Sequence, residues 1–122
     1  MPSALRSSAG QKRLSGHSIM ARKDRLLSLS KSTRKGKKYV ALVQTASGKT
    51  RKVHFGGRGY DQYRDTTGLG HYSHRDHGSA RRRRNYFTRH SGVATKGKAL
   101  AIERRRAKGR ITPKLLSHEF LW

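Results

Sequence analysis

Charge constrains this sequence more than any other property. Thirty Lys and Arg side chains face only six Asp and Glu, a formal net charge of +24 in 122 residues. A free globule carrying about one unbalanced charge for every five residues repels itself, so the charge implies an anionic partner. Nucleic acid, an anionic membrane surface and an acidic protein lattice all fit. The apolar side of the balance is thin. Leu, Ile, Val and Phe make up 21 residues, and at this charge such a chain leans on its neighbours for order. One small domain with little independent core, not an autonomous monomer, is the expectation.

Several classes drop out early. Without cysteine there is no disulfide framework, no thiolate metal site and no cysteine nucleophile. No apolar run approaches the ~18 residues of a membrane span, and no signal-peptide core is visible. The first 38 residues are rich in Ser, Lys and Arg with one acid, Asp24, a composition shared with organellar transit peptides.

Residues 1–36 read as an extended basic arm, with Ile19, Met20, Leu26, Leu27 and Leu29 as its only apolar anchors. A short helix around Met20–Leu29 and an extended chain docked on a neighbour fit it equally. Residues 37–122 read as the body. Tyr39-Val40-Ala41-Leu42-Val43 is aromatic and β-branched, as strands prefer. Ser47-Gly48 signals a turn, and Arg51, Val53 and Phe55 then alternate onto one face, completing a β-hairpin. Glycines break any period across residues 56–78. Ser79 is the N-cap of a helix over residues 79–90, and residues 94–107 form a second. Thr112-Pro113 caps and opens a third, short helix ending in an apolar tail at Leu121-Trp122. The fold class expected is small α+β: a β-hairpin plus two to three short helices, with a C-terminal apolar anchor.

Tests for chemistry come out negative. Gly48-Lys49-Thr50 copies the end of a phosphate-binding loop, but Val43 stands where the first Gly is required. His74-Arg75-Asp76 copies a kinase tripeptide, with Arg81 where that pattern needs Asn. His71, His74 and His77 recur every three residues beside Asp76, yet lie in a Gly-flanked loop without a second ligand group at a recognised spacing. No carboxylate pair qualifies as acid and base. The sequence is read as non-enzymatic, with no cofactor and no metal.

The informative signal is in the basic clusters. Arg34, Lys35, Lys37 and Lys38 form the first, Arg81, Arg82, Arg83 and Arg84 the second, and Arg104, Arg105, Arg106, Lys108 and Arg110 the third. Each can neutralise phosphates, and together they predict steeply salt-dependent binding. The second sits at a helix N-terminus, where the dipole disfavours cations, and Tyr86 and Phe87 beside it are candidates for stacking on bases. No helix-turn-helix, zinc finger or ribonucleoprotein motif points to sequence-specific readout. Tyr39, Val43, Phe55, Tyr60, Tyr86, Phe87, Leu116, Phe120 and Trp122 are the expected anchors for docking on a protein partner.

Residues 34–63, from Arg34-Lys35-Gly36-Lys37-Lys38-Tyr39 through Lys49-Thr50 and Phe55-Gly56-Gly57-Arg58-Gly59-Tyr60, resemble a small basic protein family of nucleocytoplasmic large DNA viruses. Tyr86-Phe87-Thr88-Arg89-His90 and the ending from Thr112 to Trp122 are similar as well. The resemblance spans about residues 33–122 and leaves the arm outside. An enlarged Gly/His loop at 68–78 and a longer Arg run depart from the family pattern. It implies a protein made in the host cytoplasm and carried in the virion, without catalytic residues. On that footing the expectation is a minor capsid protein that cements major and minor capsid subunits. Its basic clusters would face packaged DNA or the anionic inner membrane. The rivals are a genome-condensing DNA-binding protein and a ribosomal-type RNA-binding protein.

Overall fold

The computed structural model describes residues 23–122, so most of the expected arm lies outside the described residues. Three antiparallel strands, β1 (Arg25–Lys31), β2 (Lys37–Gln44) and β3 (Thr50–Gly57), form one sheet in the order β1-β2-β3. Three helices follow a long loop: α1 (Ala80–Ser91), α2 (Lys96–Ala107) and α3 (Pro113–Phe120). The fold is a small α+β domain, as the sequence predicts.

The hairpin forms in the register that buries the alternating side chains. Tyr39 pairs with Phe55 and Ala41 with Val53, and all four are buried. Its turn closes through hydrogen bonds from the Gly48 N–H to the Thr45 oxygen and from the Thr45 N–H to the Lys49 oxygen. Gly48 takes φ +89°, the left-handed residue that a type I turn plus bulge requires. Arg51 shares the inward face and donates to Asp24 (2.5 Å) and to the Ile111 carbonyl (2.8 Å).

β1 corrects the reading of residues 1–36 as an arm. Residues 25–31 are neither helix nor free extended chain but a strand paired along its length with β2. Leu26 lies opposite Val43 and Leu29 opposite Ala41, so three residues on β1 span two on β2. Leu27 is the bulged extra residue. The bulge puts Leu26 and Leu29 on the same, core-facing side of the sheet despite their odd spacing.

All three helix starts match the sequence signals within two residues. The Ser79 hydroxyl accepts from the Arg82 N–H, and the Thr112 hydroxyl from the Leu115 N–H, with Pro113 in the first turn of α3. α3 is the keystone, packing on β3 on one side and on α2 on the other, while α1 rests on α2. Its Leu116, with Leu121 just beyond, joins Tyr39, Ala41, Val43, Val53, Phe55 and Tyr72 in the main core. Phe87, Ala99 and Leu100 are buried in the helical part, outside that cluster.

This packing corrects the expected docking anchors. Tyr39, Val43, Phe55, Phe87 and Leu116 are 4% exposed or less and have no surface to offer a partner. The apolar tail is used internally too: Leu121 is 1% exposed, and Phe120 and Trp122 pack against the core. Among the nine expected anchors, only Tyr60 stands well out of the surface, at 75% exposure.

The segment between β3 and α1 has no strand, only a single 3-10 turn at Ser73–Arg75. Polar groups hold it instead. Gln62, fully buried, donates to the Tyr72 oxygen and to Asp76 (both 2.7 Å) and accepts from the Lys38 ammonium (2.5 Å). Asp76 also accepts from the Asp65 N–H. Asp65 takes the Tyr39 hydroxyl and both the N–H and hydroxyl of Thr67.

Candidate polyanion-binding face

The fate of the six acids decides what the thirty bases are free to do. Asp24 is tied to Arg51 and the Ile111 N–H, and Asp65 and Asp76 are consumed by the loop. Asp61 lies 3.3 Å from Arg75 and 3.8 Å from Arg82. Glu103 lies 3.0 Å from Arg106 and 3.9 Å from Lys114, and Glu119 3.4 Å from Arg104. Every acid thus serves the fold. Only six cations, Arg51, Arg75, Arg82, Arg104, Arg106 and Lys114, lie within ion-pair distance of a carboxylate among the described residues.

The buried polar groups show how that service works. For Asp65, burial alone would raise the carboxyl pKa. Hydrogen bonds from Thr67 and Tyr39 outweigh it and hold the group below its usual range. Tyr39 moves the other way, up to about 12, through burial and its bond to Asp65. His118, fully buried, is pushed down to about 4 by burial, against the pull of Glu103. The neutral ring fixes the direction of a four-membered chain. The Ser91 hydroxyl donates to Glu103 (2.8 Å), so its oxygen accepts from His118 Nε2 (2.9 Å). His118 Nδ1 then accepts from the Tyr86 hydroxyl (2.9 Å). This network pins α1, α2 and α3 together. It lies under the surface and offers no exposed nucleophile.

Of the thirteen clustered cations, Lys38 must be removed from the predicted binding set. It is 1% exposed, donates to the Tyr60 carbonyl (2.6 Å) as well as to Gln62, and burial with the nearby Arg75 pushes its pKa down to about 8. Arg83 is largely spent as well. Its Nε donates to the Trp122 main-chain oxygen (2.9 Å) and its guanidinium sits 4.4 Å above the Tyr63 ring. Arg34, Lys35, Arg81, Arg84, Arg105, Lys108 and Arg110 are exposed with no side-chain hydrogen bond or ion pair among the described residues.

A cleft of about 760 Å³ brings parts of separate clusters together. Lys37 comes from the first and Arg82 from the second, and Arg89 and Lys114 join them. The third cluster stays outside it. The sequence pattern carried a signal for Arg89 that cluster counting missed. Arg82, Asn85, Tyr86, Arg89 and His90 all line the cleft, and they follow the i, i+3, i+4, i+7, i+8 spacing of a single helix face. Lys114 could not be found this way, because only the packing of α3 brings it opposite α1.

The structure also corrects the expected stacking role of Tyr86 and Phe87. Phe87 is 1% exposed. Tyr86 stacks on Trp122 with ring centres 4.1 Å apart and planes within 3°, and has His90 at 4.5 Å. Phe87 has no face to offer a base, and Trp122 takes one face of Tyr86. The loop histidines are dispersed among aromatic neighbours: His71 beside Tyr39, His74 beside Tyr72 and His77 beside Trp122. Among the described residues no group of three His, Asp or Glu gathers to hold a metal.

Residues 27–67 match the model of a family of unknown function, DUF5754. That segment holds most of β1, all of β2 and β3, and the loop anchors Gln62 and Asp65, while the three helices lie outside it. No curated protein and no solved structure matches the chain.

Proposed function

We propose that this chain is a non-catalytic structural protein that binds nucleic acid through its phosphates, as a basic component of a large DNA virus particle facing the packaged genome. The observation that carries the reading is the internal use of all six carboxylates, which leaves a +24 chain with displayed cations that nothing in its own fold neutralises. Contacts of this kind position a protein on a phosphate backbone without reading sequence. The virion setting is supported by the sequence resemblance alone.

A second reading, cementing between capsid subunits, is favoured by one feature. Among the described residues β1 has β2 on only one side, and Leu26 and Leu27 on it are 38% and 41% exposed, so its outer edge is a place where another strand can add. Most of the other residues expected to dock are buried in the chain's own core, which leaves this reading with less to stand on.

Fractionation of purified particles separates the two. Opened particles are treated with nuclease and detergent, and the protein is followed across a salt gradient. Departure with the DNA, with steep release by salt, supports genome binding. Retention on the shell at high salt supports cementing. Absence from particles overturns both and turns attention to ribosome co-sedimentation.

A further inference from the structure

We infer that the cleft beside Tyr60 holds single-stranded nucleic acid, with an unpaired base stacked on the Tyr60 ring and its flanking phosphates held by Lys37, Arg82, Arg89 and Lys114. The inference rests on the nucleic-acid reading and narrows it to a strand form and a site.

Tyr60 is the exception among the aromatic residues. Tyr39, Phe55, Tyr72 and Phe87 are buried, Tyr86 and Trp122 cover one another, and the Tyr63 face carries Arg83. Tyr60 alone is exposed at 75%, yet its backbone is fixed. Its N–H bonds to the Gly57 carbonyl (3.2 Å) and its carbonyl takes the buried Lys38 ammonium (2.6 Å). Its ring lies so close over Gly57 that a Cβ there would come within 2.6 Å. A rigidly placed, solvent-facing ring is what sequence-tolerant base stacking uses.

Charge is arranged around the ring. Lys37 and Arg89 have no side-chain partner among the described residues. Arg82 holds a long pair to Asp61 (3.8 Å), and Lys114 one to Glu103 (3.9 Å) with a hydrogen bond to the His90 carbonyl (3.3 Å), contacts that a phosphate can outcompete at an exposed site. Asp61 also lines the cleft, but it faces Arg75 and Arg82 and is neutralised there. The volume lies within the ~300–1,000 Å³ typical of small-ligand sites, enough for a nucleotide unit. A duplex cannot present a base face without unstacking, so the site selects single strands.

The test uses the full chain and its only tryptophan, Trp122, which lines the same cleft. Trp fluorescence is titrated with a short oligothymidylate of roughly eight nucleotides, with the matching duplex, and with inorganic polyphosphate. The oligothymidylate should quench Trp122 and bind more tightly than the duplex, and polyphosphate should bind without comparable quenching. Tyr60→Ala should weaken oligothymidylate binding about 5- to 100-fold and leave polyphosphate binding unchanged. Tyr60→Phe, which keeps the ring, should behave as wild type. Equal affinity for single strand and duplex, or a Tyr60→Ala variant that binds oligothymidylate normally, overturns this inference while sparing the broader reading. Failure to bind any of the three at low salt overturns both.

Discussion

The loop between β3 and α1 and the surface of α1 and α2 use charge in opposite ways. In the loop, three polar side chains are saturated by internal partners: Gln62, Asp65 and Asp76 between them satisfy main-chain and side-chain donors from Lys38, Tyr39, Thr67 and the loop itself, while the buried His77 Nε2 is left without one. On the helices, cations are many, and half of them, Arg81, Arg84, Arg89, Lys98 and Arg105, have no side-chain partner among the described residues. The contrast teaches where this chain keeps its stability. Saturated polar groups order a segment that has no regular structure and little apolar content. The unmatched cations raise self-repulsion and contribute nothing to the fold. Changes in the first region should therefore move stability and leave binding alone, and changes in the second should do the reverse.

The largest effect is expected in the loop. Asp65→Ala removes the acceptor of the buried Tyr39 hydroxyl and three further contacts at once, and should cost about 3 kcal/mol or more in urea unfolding. The salt dependence of DNA binding should not change. A loss below about 1 kcal/mol would break the contrast from the loop's side.

Acid should act through His118. Its pKa is about 4 in the fold against ~6.5 unfolded, so the unfolded state takes up the proton first as pH falls. The stability that neutral His118 provides is therefore complete above about pH 6.5 and is lost progressively down to about pH 4, a change of order 3 kcal/mol. Thermal unfolding across that range should show the loss, and His118→Gln, though less stable at neutral pH, should show a markedly flatter profile. A variant with the wild-type slope would place the acid sensitivity elsewhere.

A smaller effect separates the two regions within one residue. Lys108 ends α2 with φ +51°, in the left-handed region, where a side chain is strained. Lys108→Gly should raise stability by about 0.5–1 kcal/mol while weakening DNA binding, measured by paired melting and binding titrations.

Legibility in the sequence follows the same division. The hairpin, the turn at Gly48 and the caps Ser79 and Thr112 were readable because each is decided by local geometry. β1 was not, because the Leu27 bulge disguises a two-residue repeat: Leu26 and Leu29 look helical in spacing until the partner strand is seen. Lys38 looked like one more surface cation in a basic run, and only the fold of residues 58–78 over it shows that it is a buried hydrogen-bond donor. The stripe from Arg82 to His90 follows helix-face spacing and was open to reading, but counting charge runs alone missed Arg89. Its completion by Lys37, Lys114 and Tyr60 depends on tertiary packing that no local pattern encodes. The buried chain from Glu103 through Ser91 and His118 to Tyr86 was invisible for the same reason.

The central claim, that the displayed cations exist to meet phosphates, is tested most directly by the salt dependence of duplex DNA binding by the isolated chain. The account predicts that log Kobs falls linearly with log salt, with a slope steeper than about −5. In a triple variant, Arg34→Gln, Lys35→Gln and Arg105→Gln, the slope should shrink by up to about 1 per charge removed, while unfolding free energy stays within about 0.5 kcal/mol per site. A shallow slope shared by wild type and variant, or a triple variant that unfolds far more easily, would show that these cations serve the fold and contradict the account.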